Sequence, residues 1–73
     1  MKKISYNPLW VTLIKKGIKN KTDLITLAGI SSGTLAKMSK DQEVSMTVLL
    51  KICTALNCSI EDIMEVVPYS IAD

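Results

Sequence analysis

Apolar residues recur along this chain at three- and four-residue spacings, the period of helices with one buried face. The first stripe, Leu9, Trp10, Leu13 and Ile14, follows Asn7-Pro8 and precedes Gly17. Asparagine suits an N-cap, proline the first helical position and glycine a C-terminal stop, so a first helix is predicted between them. A second stripe, Leu24, Leu27 and Ala28, is expected to start at an Asn20 cap, with Asp23 as an imperfect capping box, and to end at Gly29. Ser31 then caps a third helix, and Ile30 and Leu35 flank that cap at the offset of a hydrophobic staple. The same device recurs at Val44-Ser45 with Leu49 and at Cys58-Ser59 with Ile63, predicting helices four and five. Helix four should turn Leu49, Ile52, Cys53 and Leu56 inward and Thr47, Lys51 and Thr54 outward, with Asn57 as its stop. Ile4-Ser5-Tyr6 and Val66-Val67 have strand character, and the two ends could pair as a small ribbon packed on the helices.

Composition narrows this picture. Apolar residues make up 48% of the 73 residues, too many for a disordered chain, and the length suits one domain with a marginal core. The aromatic residues are Tyr6, Trp10 and Tyr69, so the core is expected to be aliphatic. Cys53 and Cys58, with no histidine, make a poor zinc site and are read as reduced thiols in a bacterial-type cytosol, Cys53 as core filler. Met1-Lys2-Lys3 looks like the start of a signal peptide, but Pro8 and Lys15-Lys16 interrupt any apolar run. No stretch is long and apolar enough for a membrane span. Enzymatic readings lack parts: there is no histidine, no P-loop and no nucleophile–base pair. Glu61, Asp62 and Glu65 cluster where acids favour a helix start. No cofactor, metal or small-molecule ligand is implied.

Charge is divided unevenly. Residues 1–40 carry eight lysines against one acid, Asp23, a net +7, while residues 41–73 carry one lysine against six acids, a net −5. A basic first half suits an anionic partner, although solvated lysines without a partner would give the same totals.

The segment "TDLITLAGISSGTLAKM", Thr22–Met38, places two helices of about two turns around a glycine-containing turn, the arrangement of a helix-turn-helix unit. Neither helix is stable alone. Helices one, four and five would prop them, leaving the outer face of helix three to enter a groove about 12 Å wide. "KTDLITLAGISSGTLAKM" (Lys21–Met38) and "VSMTVLLKICTALNCSIEDIM" (Val44–Met64) together resemble small lambda-repressor/Cro-like, or Xre-type, helix-turn-helix regulators over about sixty residues. Ile25 stands where such units usually carry a small residue.

That resemblance implies an all-α, compact five-helix lambda-repressor-like domain over residues 1–73, with the helix-turn-helix unit at 21–38. It implies a transcriptional regulator of double-stranded DNA, cytoplasmic and homodimeric, whose helix three starts at Ser32. Lys21, Thr22, Ser31, Ser32, Gly33, Thr34, Lys37 and Lys40 form the implied DNA-facing set. Ser32, Gly33, Thr34 and Lys37 would face the groove, and Lys21 and Lys40 would meet phosphates. Free N–H groups at a helix start and counterion release by lysine support such roles physically. For Lys37, Lys21 and Lys40 the alternative is a solvated side chain. Gly33 either permits close approach to DNA or is merely tolerated beside the cap. All nine basic residues are lysines, and helix three offers only Ser32, Thr34 and Lys37 as base readers, so modest base selectivity is expected. A protein-interaction module on the same scaffold, antitoxin-like or a co-regulator subunit, is the alternative, motivated by that thin inventory and by the apolar tail "VVPYSIAD". Membrane-surface attachment is a weaker third reading, because helix one is not basic enough along one face.

Overall fold

A computed structural model describes residues 2–68. In chain order it has β1 (Lys2–Ser5), α1 (Asn7–Lys15), α2 (Asp23–Ala28), α3 (Ser32–Ser39), α4 (Met46–Leu56), a 3-10 turn (Ile60–Asp62) and β2 (Glu65–Pro68). The five-helix count is therefore corrected: the helical class holds, but four α-helices rather than five pack with the two-stranded antiparallel ribbon formed by the two ends. The staple at Cys58 and Ile63 does form a start, with Ser59 N–H donating to Asp62 Oδ2 at 3.0 Å and Ile63 fully buried. One turn later the β-branched pair Val66-Val67 is drawn into the ribbon, where Val67 faces Lys3 and Val66 faces Ile4. The ribbon thus takes the residues a fifth helix would need. Tyr69–Asp73, the end of the apolar tail, and Met1 lie outside the described residues.

The core is a single cluster of Tyr6, Leu9 and Leu13 with Leu24, Ala28, Ile30, Leu35, Met38, Leu49, Ile52, Leu56 and Ile63. Every α-helix contributes an i, i+3 or i, i+4 pair to it. Trp10 and Cys53 pack against its margin. Two expected core residues do not belong: Ile14 is 75% exposed and Leu27 is 50% exposed. In these short helices the Leu9–Leu13 and Leu24–Ala28 pairs centre the buried face, so a neighbour about 100° away turns outward.

The helix ends show how little backbone is left unsatisfied. Asn7 is not the cap of α1; Tyr6 occupies that position. Tyr6 N–H donates to Asp41 Oδ1 at 3.0 Å and Asn7 N–H to Ser5 Oγ at 3.3 Å, and Pro8 has no N–H to place. Asn20 forms no capping box either. The N–H groups of Asp23 and Leu24 bond to the carbonyls of Asn20 and Lys21, so a tight turn leads into α2 without a side-chain cap. At α3 and α4 the predicted caps are present: Ser31 Oγ accepts from Thr34 N–H and Ser45 Oγ from Val48 N–H. Helices α1, α3 and α4 close with the same motif. A residue one or two positions past each end, Gly17, Asp41 and Asn57, adopts a positive φ. The following N–H reaches back five residues: Ile18 to Leu13, Gln42 to Lys37, Cys58 to Cys53.

Candidate nucleic-acid interface

The turn between α2 and α3 is three residues long, Gly29-Ile30-Ser31, and each has a separate task. Gly29 takes φ 68°, and its N–H closes α2 on the Ile25 carbonyl at 3.0 Å. A side chain there would strain the backbone. Ile30 is buried and pins the turn to the core. Ser31, extended, starts α3 through its bond to Thr34 N–H at 3.1 Å. Leu35 and Met38 anchor the inner side of α3 against the core, so this eight-residue helix persists through tertiary packing rather than alone. Ile25, half-buried, joins the same core.

The remaining face of α3 is open. Ser32, Gly33, Ala36, Lys37, Ser39 and Lys40 are all exposed. Gly33, Lys37 and Lys40 follow one another at i, i+4 and i+7 and so share one stripe. The first turn of α3 carries no acid and its last turn carries Lys37. By helix geometry the N–H groups of Ser32 and Gly33 have no partner within the helix. Ser31 and Thr34 are less free than the sequence implied, because their hydroxyls lie 2.9 Å apart and bond to each other.

The other two members of the expected set stand apart from this stripe. Thr22 and Lys21 lie at the turn into α2 and are exposed. The Lys21 ammonium is seated over the Trp10 ring, 4.1 Å from its centroid, a cation–π contact from the turn before α2 onto α1. No sequence spacing signals that contact, since residues 10 and 21 meet only through the fold.

Two residues bearing on this surface were missed. Asp41, two residues past the end of α3, has φ 56°, and its carboxylate accepts from Tyr6 N–H. Tyr6, 1% exposed, donates its phenolic O–H to the Gln42 carbonyl at 2.8 Å. The available signal was an aspartate just past a helix stripe, a residue type that tolerates the left-handed region.

Residues 8–69 match the model of the Cro/C1-type helix-turn-helix DNA-binding domain. The chain belongs to this family. The Cro/C1-type assignment agrees with the lambda-repressor/Cro-like resemblance of the sequence, and its members are DNA-binding regulators that are generally not enzymes. Among solved structures, the crystal structure of the transcriptional regulator VanUg, Form II, is similar, with 46% identity and a TM-score of 0.88 over 93% of this chain and 89% of that one. No curated protein matches the chain. This Cro/C1-type helix-turn-helix domain is a DNA-binding regulator. None of its described helices is long and apolar enough to cross a membrane.

Proposed function

We propose that this domain regulates transcription by binding specific duplex DNA sequences in the major groove with α3, as a homodimer on two half-sites about 34 Å apart. The observation that carries this reading is the open stripe Gly33–Lys37–Lys40 on a helix whose opposite side is locked by Ile30, Leu35 and Met38. Ser32, Gly33, Thr34 and Lys37 face the groove, with Ser31 holding Thr34 in place. Lys40 meets a phosphate at the far end of α3, and Lys21 and Thr22 meet another ahead of α2. Lysine, serine and threonine read bases weakly, so each protomer contributes modest selectivity and DNA shape contributes the rest.

Pairing is supported by apolar side chains left outside the core. Leu27 and Leu50 line one open groove between α2 and α4, and both are more than half uncovered or close to it, at 50% and 58% exposure. Met46, at the start of α4, is similarly exposed. A second copy covering such a face would also stabilise a small core by mass action.

Selection of bound sequences from random duplex DNA tests the whole reading. It should return a palindromic motif, and binding to it should weaken steeply as salt rises. Lys37→Glu with Lys40→Glu should abolish binding while the circular dichroism spectrum stays unchanged. Undiminished DNA binding by that double variant, or a monomer by light scattering on saturated DNA, overturns the proposed surface or the proposed pairing respectively.

A further inference from the structure

The C-terminal end of α3 is held by something stronger than a helix stop. Of the three residues that close α1, α3 and α4 in the left-handed region, Gly17 bears no strain and Asn57 is a common substitute. Asp41, at φ 56°, is the least expected of the three, because a side chain in this region costs conformational energy. Its side chain shows what is gained. The carboxylate reaches 35 residues back along the chain to accept Tyr6 N–H at 3.0 Å, at the start of α1. A negative group there also faces the positive end of the α1 dipole. Tyr6 returns the connection, its phenol donating to the Gln42 carbonyl at 2.8 Å. Gln42 N–H in turn bonds to the Lys37 carbonyl at 2.9 Å, and Asp41 N–H to the Met38 carbonyl at 3.1 Å. A closed chain of bonds therefore runs from the buried Tyr6 through Asp41 and Gln42 to the backbone of Lys37, on the open stripe of α3.

We infer that Asp41, with Tyr6, is a positioning residue for DNA recognition: the clasp fixes the angle at which α3 and Lys40 are presented, without touching DNA itself. This inference rests on the proposed role of α3. Ile30, Leu35 and Met38 hold the inner face of α3 against the core, but apolar packing is not directional. The clasp supplies the directional tie at the end farthest from the Ser31 cap. Asp41→Gly adopts the same backbone without strain and lacks the acceptor. Asp41→Asn tolerates the backbone and keeps an oxygen acceptor.

The test compares the full chain with Asp41→Gly, Asp41→Asn and the Lys37→Glu/Lys40→Glu pair on two duplexes, one recovered by selection and one of scrambled sequence. Asp41→Gly should lose about tenfold in affinity for the selected duplex and less than about twofold for the scrambled one. Its dependence on salt should match the unaltered chain, because no phosphate contact is removed. Its melting temperature should stay within a few degrees, since relief of strain offsets the lost bond. Asp41→Asn should recover selected-duplex affinity to within about threefold. Equal losses on both duplexes together with a fallen melting temperature, failure of Asp41→Gly to fold, or unchanged preference in Asp41→Gly would each overturn the inference. Failure of the underlying reading looks different: the lysine pair would then bind the selected duplex as the unaltered chain does, and the inference falls with it.

Discussion

Gly33 separates what the fold requires of α3 from what a duplex would require. It lies in the first turn of α3 and is not among the glycines with positive φ, which are Gly17 and Gly29. A Cβ placed at residue 33 meets only Ser31 Oγ, at 3.8 Å, ordinary van der Waals contact that leaves the cap to Thr34 intact. Among the described residues, then, neither backbone conformation nor packing calls for glycine. Its presence costs roughly 0.5–1 kcal/mol relative to alanine in a helix. A change of 1 kcal/mol moves Tm by about 4–8 °C in a domain of this size. Gly33→Ala should therefore raise Tm by about 2–8 °C, read by circular dichroism. On the exposed stripe the new methyl group would stand between the helix and a base or sugar. Affinity for a selected duplex, read by fluorescence anisotropy, should fall about tenfold. A lowered Tm would refute the claim that the fold is indifferent to residue 33. A raised Tm with unchanged affinity would refute close approach and leave Gly33 as a residue merely tolerated beside the cap.

The two serine caps offer a matched pair: Ser31→Ala and Ser45→Ala should each cost about 1 kcal/mol of stability in denaturant titrations. Only Ser31→Ala should also weaken DNA binding of the fully folded protein, and equal effects on binding would contradict the assignment of α3. Lys21 leaving the Trp10 ring for a phosphate should change the emission of the only tryptophan when duplex is added, and Lys21→Gln should remove that change. An emission spectrum indifferent to saturating duplex would place Lys21 outside the interface. Burial pushes the Tyr6 phenol above its ordinary pKa of 10.0, opposed in part by a backbone hydrogen bond at Val44 and aided by the weaker repulsion of the Asp41 and Glu43 carboxylates. The fold thus favours the neutral phenol, so this contribution is complete below pH 10 and is lost as pH rises through the raised value. Tyr6→Phe, about 1 kcal/mol less stable at neutral pH for want of its hydrogen bond, should lose less Tm than the unaltered chain as pH rises above about 10.

What could be read from the sequence depended on the range of the interaction. Ser31 and Ser45 were legible as caps because a cap is a matter of three residues and its staple of five. Gly29 and Asn57 were legible as stops for the same reason. Asn7 and Asn20 had the right residue type, but backbone carbonyls took the donors their side chains would have served: the Tyr6 carbonyl accepts from Leu9 and Trp10 N–H at α1, and the Asn20 carbonyl from Asp23 N–H before α2. The fifth helix failed through a long-range effect. Its start at Ser59 formed, and the ribbon with residues 2–5 then claimed the strand-forming Val66 and Val67. On the candidate surface, the exposure of Gly33, Lys37 and Lys40 followed from helical period. The engagement of Lys21 by Trp10, and of Asp41 by Tyr6, required the fold to bring distant residues together.

The same division explains how so small a domain can present a recognition helix with definition. An isolated helix of eight residues would be frayed in water. Here α3 borrows its persistence at three points: the Ser31 cap, the buried Leu35–Met38 side, and the Asp41 tie to α1. The first two are legible within α3 and its flanks, but the third depends on Tyr6, 35 residues away along the chain. Binding to DNA should accordingly be sensitive to substitutions that never approach the duplex, and in two distinguishable ways. Truncating Leu49 or Ile52 in the core lowers the folded fraction and weakens specific and non-specific binding together. Loosening the tie at Asp41 leaves the fold populated and blurs only the discrimination between sequences, because charge still attracts the helix to any duplex while its angle is no longer fixed.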